Sequence, residues 1–177
     1  MNIPNMLAWF RIGAAPLLFL LLANRLIFTD AGIHPSWLDY FAALIFTLAA
    51  ITDFFDGYIA RKFNQVTKLG AILDPLADKL LTLSAFLGLM LLGRANEWAV
   101  FIILGREFFI TGLRVIAAGE GKEVAASSLG KYKTGVQIAA IIAMILEWVP
   151  YLGVTLLWLA VLLTVWSGAA YVRAYTK

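Results

Sequence analysis

The sequence predicts an all-α integral membrane protein with six transmembrane helices and both termini in the cytoplasm. The composition is 62% hydrophobic and only 14% charged, whereas roughly a quarter of the residues in a soluble domain are charged. The mean hydropathy is +0.87. Apolar segments of about 20 residues, the length that crosses a bilayer as a helix, recur along the chain.

The predicted helices follow one another with short connections. They are residues 6–26, 37–60, 69–92, 98–118, 132–146 and 151–172. The N-terminus lacks the basic, apolar and small-residue pattern of a cleaved signal peptide, so the first segment is expected to be retained as a span. The chain shows no internal repeat and no low-complexity tract. Residues 1–177 are therefore predicted to form a single membrane-embedded domain.

The distribution of Lys and Arg predicts the orientation, because basic residues concentrate in cytoplasmic loops. With the N-terminus inside, the outer loops carry only Arg25 and Arg94. The inner ends carry Arg11, Arg61, Lys62, Lys68, Lys122, Lys131, Lys133, Arg173 and Lys177. This bias places both termini in the cytoplasm.

One polar stretch interrupts the apolar pattern between the second and third helices. It reads DFFDGYIARKFNQVTKLGAILDPLAD and contains Asp53, Asp56, Asp74 and Asp78. A carboxylate in an apolar helix is costly unless a cation or another partner stabilises it. Alternatively, such acids line an ion or proton path, or pair with basic residues for structure alone.

The spacing predicts that the four aspartates form one cluster. Positions three or four apart share a helix face, and the two helices are expected to meet near Gln65. Antiparallel helices rising about 1.5 Å per residue would then place the carboxylates at matching depth. Small residues beside them, at Gly57, Ala60 and Gly70, are expected to leave open space. The sequence therefore predicts a carboxylate-lined cleft that opens to the cytoplasm.

Four carboxylates suit hard divalent cations, and they are enough to hold two ions about 3.5–4 Å apart, as in phosphoryl displacement. Mg²⁺ usually completes its coordination with water and substrate phosphates. Arg61 and Lys68, near the mouth of the cleft, also suit an anion. These features favour a phosphate-bearing substrate.

The same stretch fits the pattern D-x2-D-G-x2-A-R-x8-G-x3-D-x3-D. The fixed positions are Asp53, Asp56, Gly57, Ala60, Arg61, Gly70, Asp74 and Asp78. This pattern resembles that of the CDP-alcohol phosphotransferase family, and the resemblance extends over essentially the whole chain. It implies a bundle of six membrane helices, a homodimer, and two divalent cations, Mg²⁺ or Mn²⁺, at a catalytic site facing the cytoplasm.

The resemblance also implies a role for each residue. The four aspartates would hold the two metal ions, Asp78 would act as general base, and a CDP-linked donor would release CMP. The donor would be bound by Gly57, Ala60, Arg61, Thr67, Gly70 and Asn5. Family members often carry threonine where this chain has Ala8, a departure that bears on the role of Asn5.

The second half of the chain predicts a cationic pocket for the acceptor. Arg106 and Arg114 are eight residues apart and so lie on roughly one helix face. With Lys131 and Lys133 they would suit a phosphate group. Alternatively, the two lysines are ordinary cytoplasmic or headgroup-binding lysines. Glu107 is expected to pair with a neighbouring Arg.

Three further segments, MNIPN, REFFITGLR and GKYKT, resemble the branch of this family that acts in bacterial inner membranes. That branch transfers a phosphatidyl group from CDP-diacylglycerol to sn-glycerol 3-phosphate. The alternatives are another acceptor (inositol phosphate, serine or a phosphatidyl lipid) or, from a different class, a cation or proton transporter. The bilayer is the expected environment, and no nucleic acid is expected as a partner.

Overall fold

The computed structural model describes residues 2–62, 67–120, 128–149 and 151–175, and every regular element in these ranges is an α-helix. The helices are α1 (Ile3–Ala23), α2 (Arg25–Asp30), α3 (Pro35–Lys62), α4 (Lys68–Leu91), α5 (Glu97–Gly119), α6 (Ser128–Leu146) and α7 (Leu152–Tyr175). All six predicted helices are present, which confirms the all-α class. The short helix α2 was not predicted.

Three helical stretches among the described residues are long and apolar enough to cross a membrane: Ile3–Ala23, Pro35–Asp53 and Leu152–Tyr175. Helices α4 and α5 have comparable lengths, 24 and 23 residues. Both carry charged residues within their length, which interrupts the apolar run that marks a span. The six-span topology and the cytoplasmic termini therefore stay predictions.

The outer surfaces of the apolar helices carry large hydrophobic side chains. On α1, Trp9 and Phe10 are each 48% exposed, and on α7, Leu162 and Trp166 are each 67% exposed. Contiguous apolar surface of this kind is rare on soluble monomers and marks a membrane or protein contact. This surface fits a contact with a membrane or with another protein.

The chain divides into two compact units, Met1–Arg94 and Ala95–Lys177. The first contains α1 to α4 and the second contains α5 to α7. The sequence-based prediction of one domain stays a prediction, and each unit is described by itself below.

In the first unit, α1 packs against both α3 and α4. Gly88 of α4 permits this approach, because a Cβ atom at that position would lie 2.6 Å from the Cβ of Leu22. The sequence suggested a hairpin of α3 and α4, and the described parts of these two helices do contact each other. The predicted turn at Gln65 lies outside the described residues.

Side-chain caps set where these helices begin. The Asn2 side chain accepts a hydrogen bond from the backbone N–H of Asn5 at 3.4 Å, at the start of α1. Thr67 caps α4, and Asn96 caps α5 by accepting from the N–H of Ala99 at 3.2 Å. Gly93, with φ +69°, follows the end of α4, a conformation that favours glycine.

An ion cluster joins α2, α3 and Arg94, which lies three residues after the end of α4. Arg25 contacts Asp39 through Nη1–Oδ1 at 2.6 Å and Nη2–Oδ2 at 2.9 Å. Arg94 donates from Nη1 to Asp39 Oδ1 at 2.9 Å. Sequence analysis treated these two arginines as loop charges only, whereas the structure shows that both stabilise the largely buried Asp39 carboxylate.

In the second unit, α7 packs against both α5 and α6. Gly153 makes the contact with α6 close, since a Cβ there would lie 2.5 Å from Met144 Cγ. Ile141, Ile145 and Leu157 are fully buried between α6 and α7. This packing places α7 alongside the charged residues of α5.

Candidate active site

The structure brings aspartates of α3 and α4 to a common point in the first unit. Asp53 lies near the C-terminal end of α3, and Asp74 and Asp78 lie one turn apart on α4. Asp53 and Asp74 both approach Arg11 of α1. The side chain of Asp56 lies outside the described residues.

Arg11 is the residue of this cluster that sequence analysis missed. Its side chain is fully buried. It forms an ion pair with Asp53 through Nη1 and Oδ1, and its Nη2 lies 3.7 Å from Oδ1 of Asp74. Sequence analysis counted Arg11 among the cytoplasmic basic residues. The available signal was its position inside an apolar helix, where an ionisable residue usually has a specific partner.

The two carboxylates remain accessible on their other side. The Asp53 side chain is 41% exposed and the Asp74 side chain 35% exposed, whereas Arg11 is fully buried beneath them. Each aspartate therefore meets a fixed positive charge on its inner side and keeps an open side from which another cation or a substrate can approach.

The chemistry of these donors fits a hard divalent cation, because carboxylate oxygens are the ligands that Mg²⁺ and Mn²⁺ prefer. Carboxylates from two helices converge here, and Arg11 already supplies one positive charge to them. Within the described part of the chain, no group of three or more potential ligand side chains is close enough to hold a metal. The two-metal site stays a prediction that includes Asp56.

A second contact joins the beginning of α1 to the beginning of α4. Thr67 Oγ1 donates to Asn5 Oδ1 at 3.0 Å and accepts from the N–H of Gly70 at 2.9 Å. A Cβ at Gly70 would lie 2.8 Å from Asn5 Oδ1. Sequence analysis expected Gly70 to leave open space beside the aspartates, and this was wrong, because the buried Asn5 amide fills that space.

These contacts involve three of the residues that are predicted to bind the CDP-linked donor. They place Asn5, Thr67 and Gly70 together, and none of them involves the side chain of Ala8, which is fully buried. Three other predicted donor residues, Gly57, Ala60 and Arg61, lie in α3, and their surroundings are outside what the structure describes.

In the second unit, α7 holds the guanidinium of Arg106. Its Nη2 donates to Ser167 Oγ at 3.0 Å. The neighbouring Gly168 accommodates the side chain, since a Cβ there would lie 3.2 Å from both Cγ and Nε of Arg106. No functional role was predicted for α7. The pattern of polar and apolar residues within α7 does not indicate that Ser167 contacts Arg106.

Glu107 neutralises part of the predicted acceptor pocket. It forms an ion pair with Lys133 through Oε1 and Nζ, and its Oε2 lies 4.0 Å from Nη1 of Arg106. The Lys133 residue is only 5% exposed. The expected arginine partner, Arg106, lies within ion-pair distance of Glu107, but the closer partner is Lys133 of α6, which was not expected.

The other two predicted pocket residues have different surroundings. The Arg114 guanidinium carbon lies 5.4 Å from the ring centre of Tyr171, within the range of a cation–π interaction. Lys131 is exposed. The structure thus brings Arg106 and Lys133 together through Glu107, while Arg114 and Lys131 are placed by other contacts.

Comparison of the sequence with known proteins identifies the family of this chain. The sequence model of the family described as CDP-alcohol phosphatidyltransferase matches residues 1–166. This chain belongs to the CDP-alcohol phosphatidyltransferase family. The eight-position aspartate pattern of α3 and α4 lies within the matched region.

Several curated relatives carry the name CDP-diacylglycerol–glycerol-3-phosphate 3-phosphatidyltransferase. A protein of Bacillus subtilis is 41% identical, with 96% of this chain and 93% of the relative aligned. A protein of Rickettsia bellii is 38% identical over 99% of this chain and 96% of its own. One of Shigella flexneri is 37% identical over 98% and 94%. Both units of this CDP-alcohol phosphatidyltransferase family member therefore fall within the similarity.

Proposed function

We propose that this protein transfers the phosphatidyl group of CDP-diacylglycerol to sn-glycerol 3-phosphate, giving phosphatidylglycerol phosphate and CMP. The observation that carries the proposal is near-full-length similarity to relatives named for this reaction, 37–41% identical. The family match over residues 1–166, which includes the aspartate pattern, supports the same chemistry. No observation favours the transporter alternative.

The reaction is a displacement at phosphorus. A hydroxyl oxygen of glycerol 3-phosphate attacks the phosphorus atom that carries the diacylglycerol group, and the bond from that phosphorus to CMP breaks. CMP leaves with the bonding electron pair. The hydroxyl proton passes to the carboxylate of Asp78, the proposed general base. Asp78 lies one turn from Asp74 on α4, and Asp74 approaches Arg11 together with Asp53.

The proposed cofactors are two divalent cations, Mg²⁺ or Mn²⁺, held by Asp53, Asp56, Asp74 and Asp78. When bound, they would neutralise the pyrophosphate of the donor and stabilise the departing CMP. The residues of this chain fix the carboxylates in place. The buried Arg11 contacts Asp53 and Asp74, and both carboxylates remain partly exposed.

The proposed donor residues are Gly57, Ala60, Arg61, Thr67, Gly70 and Asn5. Support for three of them comes from the hydrogen bonds that join Asn5, Thr67 and the N–H of Gly70. These contacts fix the first turn of α4 against α1. The same helix carries Asp74 and Asp78 one and two turns further on, so the contacts also set the position of the carboxylates.

The proposed acceptor residues are Arg106, Arg114, Lys131 and Lys133. Arg106 is best supported, because Ser167 accepts a hydrogen bond from its Nη2 and Gly168 leaves room for its side chain. A guanidinium suits a phosphate through paired N–H groups. Lys133 already has Glu107 as a counter-ion, so its contribution to anion binding depends on that pair.

We further propose a bacterial inner-membrane enzyme with six spans, cytoplasmic termini, a cytoplasm-facing site and a homodimeric state. The clustering of Lys and Arg at one set of helix ends supports this orientation. Fusing a reporter that is active on only one side of the membrane to the C-terminus tests the orientation. Light scattering of the protein–detergent complex tests the dimer.

The acceptor is tested with an acceptor panel. Purified protein in detergent is given CDP-diacylglycerol and Mg²⁺, with glycerol 3-phosphate, inositol phosphate, serine, phosphatidylglycerol or no acceptor, and CMP release is measured. Release that depends on glycerol 3-phosphate and stops on chelation supports the proposal. Release that depends on another acceptor, or on none, contradicts it.

A further inference from the structure

The Arg11 guanidinium lies between two helices that carry acidic residues, and it comes from a third. Helix α1 packs against α3 and α4, and Arg11 is the largest fully buried side chain in the described residues. A buried guanidinium is stabilised only when counter-charges surround it. Asp53 and Asp74 provide those counter-charges.

The charges of this group do not balance. Arg11 carries one positive charge and approaches two carboxylates, those of Asp53 and Asp74, so this group of three keeps one net negative charge. Without Arg11, these two carboxylates would lack its counter-charge, and like charges at short range repel strongly where water is scarce. Arg11 therefore relieves the repulsion between Asp53 and Asp74 without neutralising both.

The geometry places Arg11 on the buried side of carboxylates whose opposite sides are partly exposed. A cation that arrives from the exposed side shares its ligands with Arg11, and the two positive groups repel each other. We propose that Arg11 is a positioning residue that holds Asp53 and Asp74 together and lowers the affinity of the aspartate cluster for divalent cations. This inference rests on the proposed metal site.

The direction of the effect follows from two contributions with the same sign. Replacing Arg11 by an uncharged residue removes a positive charge that opposes an incoming cation. It also increases the repulsion among the carboxylates in the metal-free protein, and a bound cation relieves that repulsion. Both contributions make cation binding more favourable, while the metal-free protein becomes less stable.

The test measures thermal unfolding of the full chain in detergent, first in EDTA and then across a range of Mn²⁺ concentrations. For Arg11→Met we expect a lower unfolding temperature in EDTA and a larger increase on Mn²⁺ addition. The Mn²⁺ concentration that gives half of this increase should fall about tenfold or more. Direct Mn²⁺ binding, followed by electron paramagnetic resonance, should show the same shift.

Arg25→Met is the matched control, because it removes an arginine that pairs with Asp39 in the same unit. It should lower the unfolding temperature by the same amount with and without Mn²⁺. The Mn²⁺ concentration that gives half of the stabilisation should be the same as for the unchanged protein. The inference is overturned if Arg11→Met needs the same Mn²⁺ concentration as the unchanged protein, or a higher one, for half of the increase in unfolding temperature.

If Arg11→Met does not fold, Arg11→Lys provides the test. Lysine keeps the charge but not the two-sided guanidinium, so stability should fall in EDTA and be largely restored by Mn²⁺. Equal loss in both conditions contradicts a positioning role. If the unchanged protein shows no Mn²⁺ effect, the metal site itself is wrong. If Mn²⁺ stabilises the unchanged protein but its half-effective concentration is the same for Arg11→Met, only the role of Arg11 is refuted.

Discussion

Asn5 of α1 and Thr67, the residue that caps α4, are joined by a hydrogen bond of 3.0 Å from Thr67 Oγ1 to Asn5 Oδ1. Thr67 also accepts from the N–H of Gly70 at 2.9 Å. One short network thus caps a helix, joins two helices and leaves room for no side chain at Gly70. Because α4 carries Asp74 and Asp78, this network positions part of the carboxylate cluster.

Gly70→Ala is expected to disrupt this network. Its Cβ would lie 2.8 Å from Asn5 Oδ1 and 3.1 Å from Thr67 Oγ1, so both side chains must move. Overpacking of this kind destabilises by about 1–3 kcal/mol. The change should lower the thermal stability and raise the KM for CDP-diacylglycerol.

Asn5→Ala supplies the control for that interpretation, since it removes the atom that the new methyl group meets. The double variant Asn5→Ala, Gly70→Ala should be less destabilised than the sum of the two single variants. Strict additivity in denaturation measurements would show that the close contact is not the cause.

Ser167→Ala is expected to weaken binding of the acceptor specifically. The change removes the hydroxyl that accepts from Arg106 Nη2 at 3.0 Å, and a hydrogen bond to a charged group contributes about 1.5 kcal/mol or more. We expect the KM for glycerol 3-phosphate to rise roughly tenfold and the KM for CDP-diacylglycerol to stay the same.

Thr155→Ala is a suitable comparison on the same helix, because its exposed hydroxyl bonds only to the backbone of Tyr151 among the described contacts. It should leave both KM values unchanged. If Thr155→Ala also raises the KM for glycerol 3-phosphate tenfold, the effect comes from the packing of α7 rather than from Arg106. The same conclusion follows if Ser167→Ala raises the KM values for both substrates equally.

Lys133→Met is expected to destabilise the second unit. The Lys133 residue is almost fully buried and pairs with Glu107. Removing one partner of a buried pair typically costs about 3–5 kcal/mol, because the other charge is left without compensation. The loss should be smaller here, about 2–3 kcal/mol, since the Glu107 side chain is 22% exposed.

The double variant Lys133→Met, Glu107→Gln removes both charges and should recover part of that stability in chemical denaturation. If the double variant loses as much as the two single variants combined, the ion pair is not a stabilising unit. In that case Lys133 remains a candidate for direct contact with the acceptor.

The sequence predicted the six longer helices well because each is a mainly apolar segment between short polar connections. The bounds of α4 and α5 differ from the predicted ones by a single residue. It missed α2, whose six residues are too few to show a helical period. Asp39 was missed as the centre of an ion cluster because its two arginines lie 14 and 55 residues away in sequence.

The sequence predicted those residues of the candidate site that lie close together in the chain. The aspartate spacing identified the carboxylates, but periodicity cannot show which other helix packs over them. Arg11 and Asp53 are 42 residues apart, and Arg106 and Ser167 are 61 apart. Such partners depend on which helices pack together, and here α1 and α7 make those contacts.

The most direct test of the proposed function is identification of the lipid product. Purified protein is incubated with CDP-diacylglycerol, isotopically labelled glycerol 3-phosphate and Mg²⁺, and the lipids are analysed by mass spectrometry alongside Asp78→Asn. The unchanged protein should form labelled phosphatidylglycerol phosphate together with an equal amount of CMP. Asp78→Asn should form neither, because it loses the proposed base and one carboxylate charge. Absence of the labelled lipid with the unchanged protein, or near-normal formation by Asp78→Asn, would contradict the proposed reaction or the role of that residue.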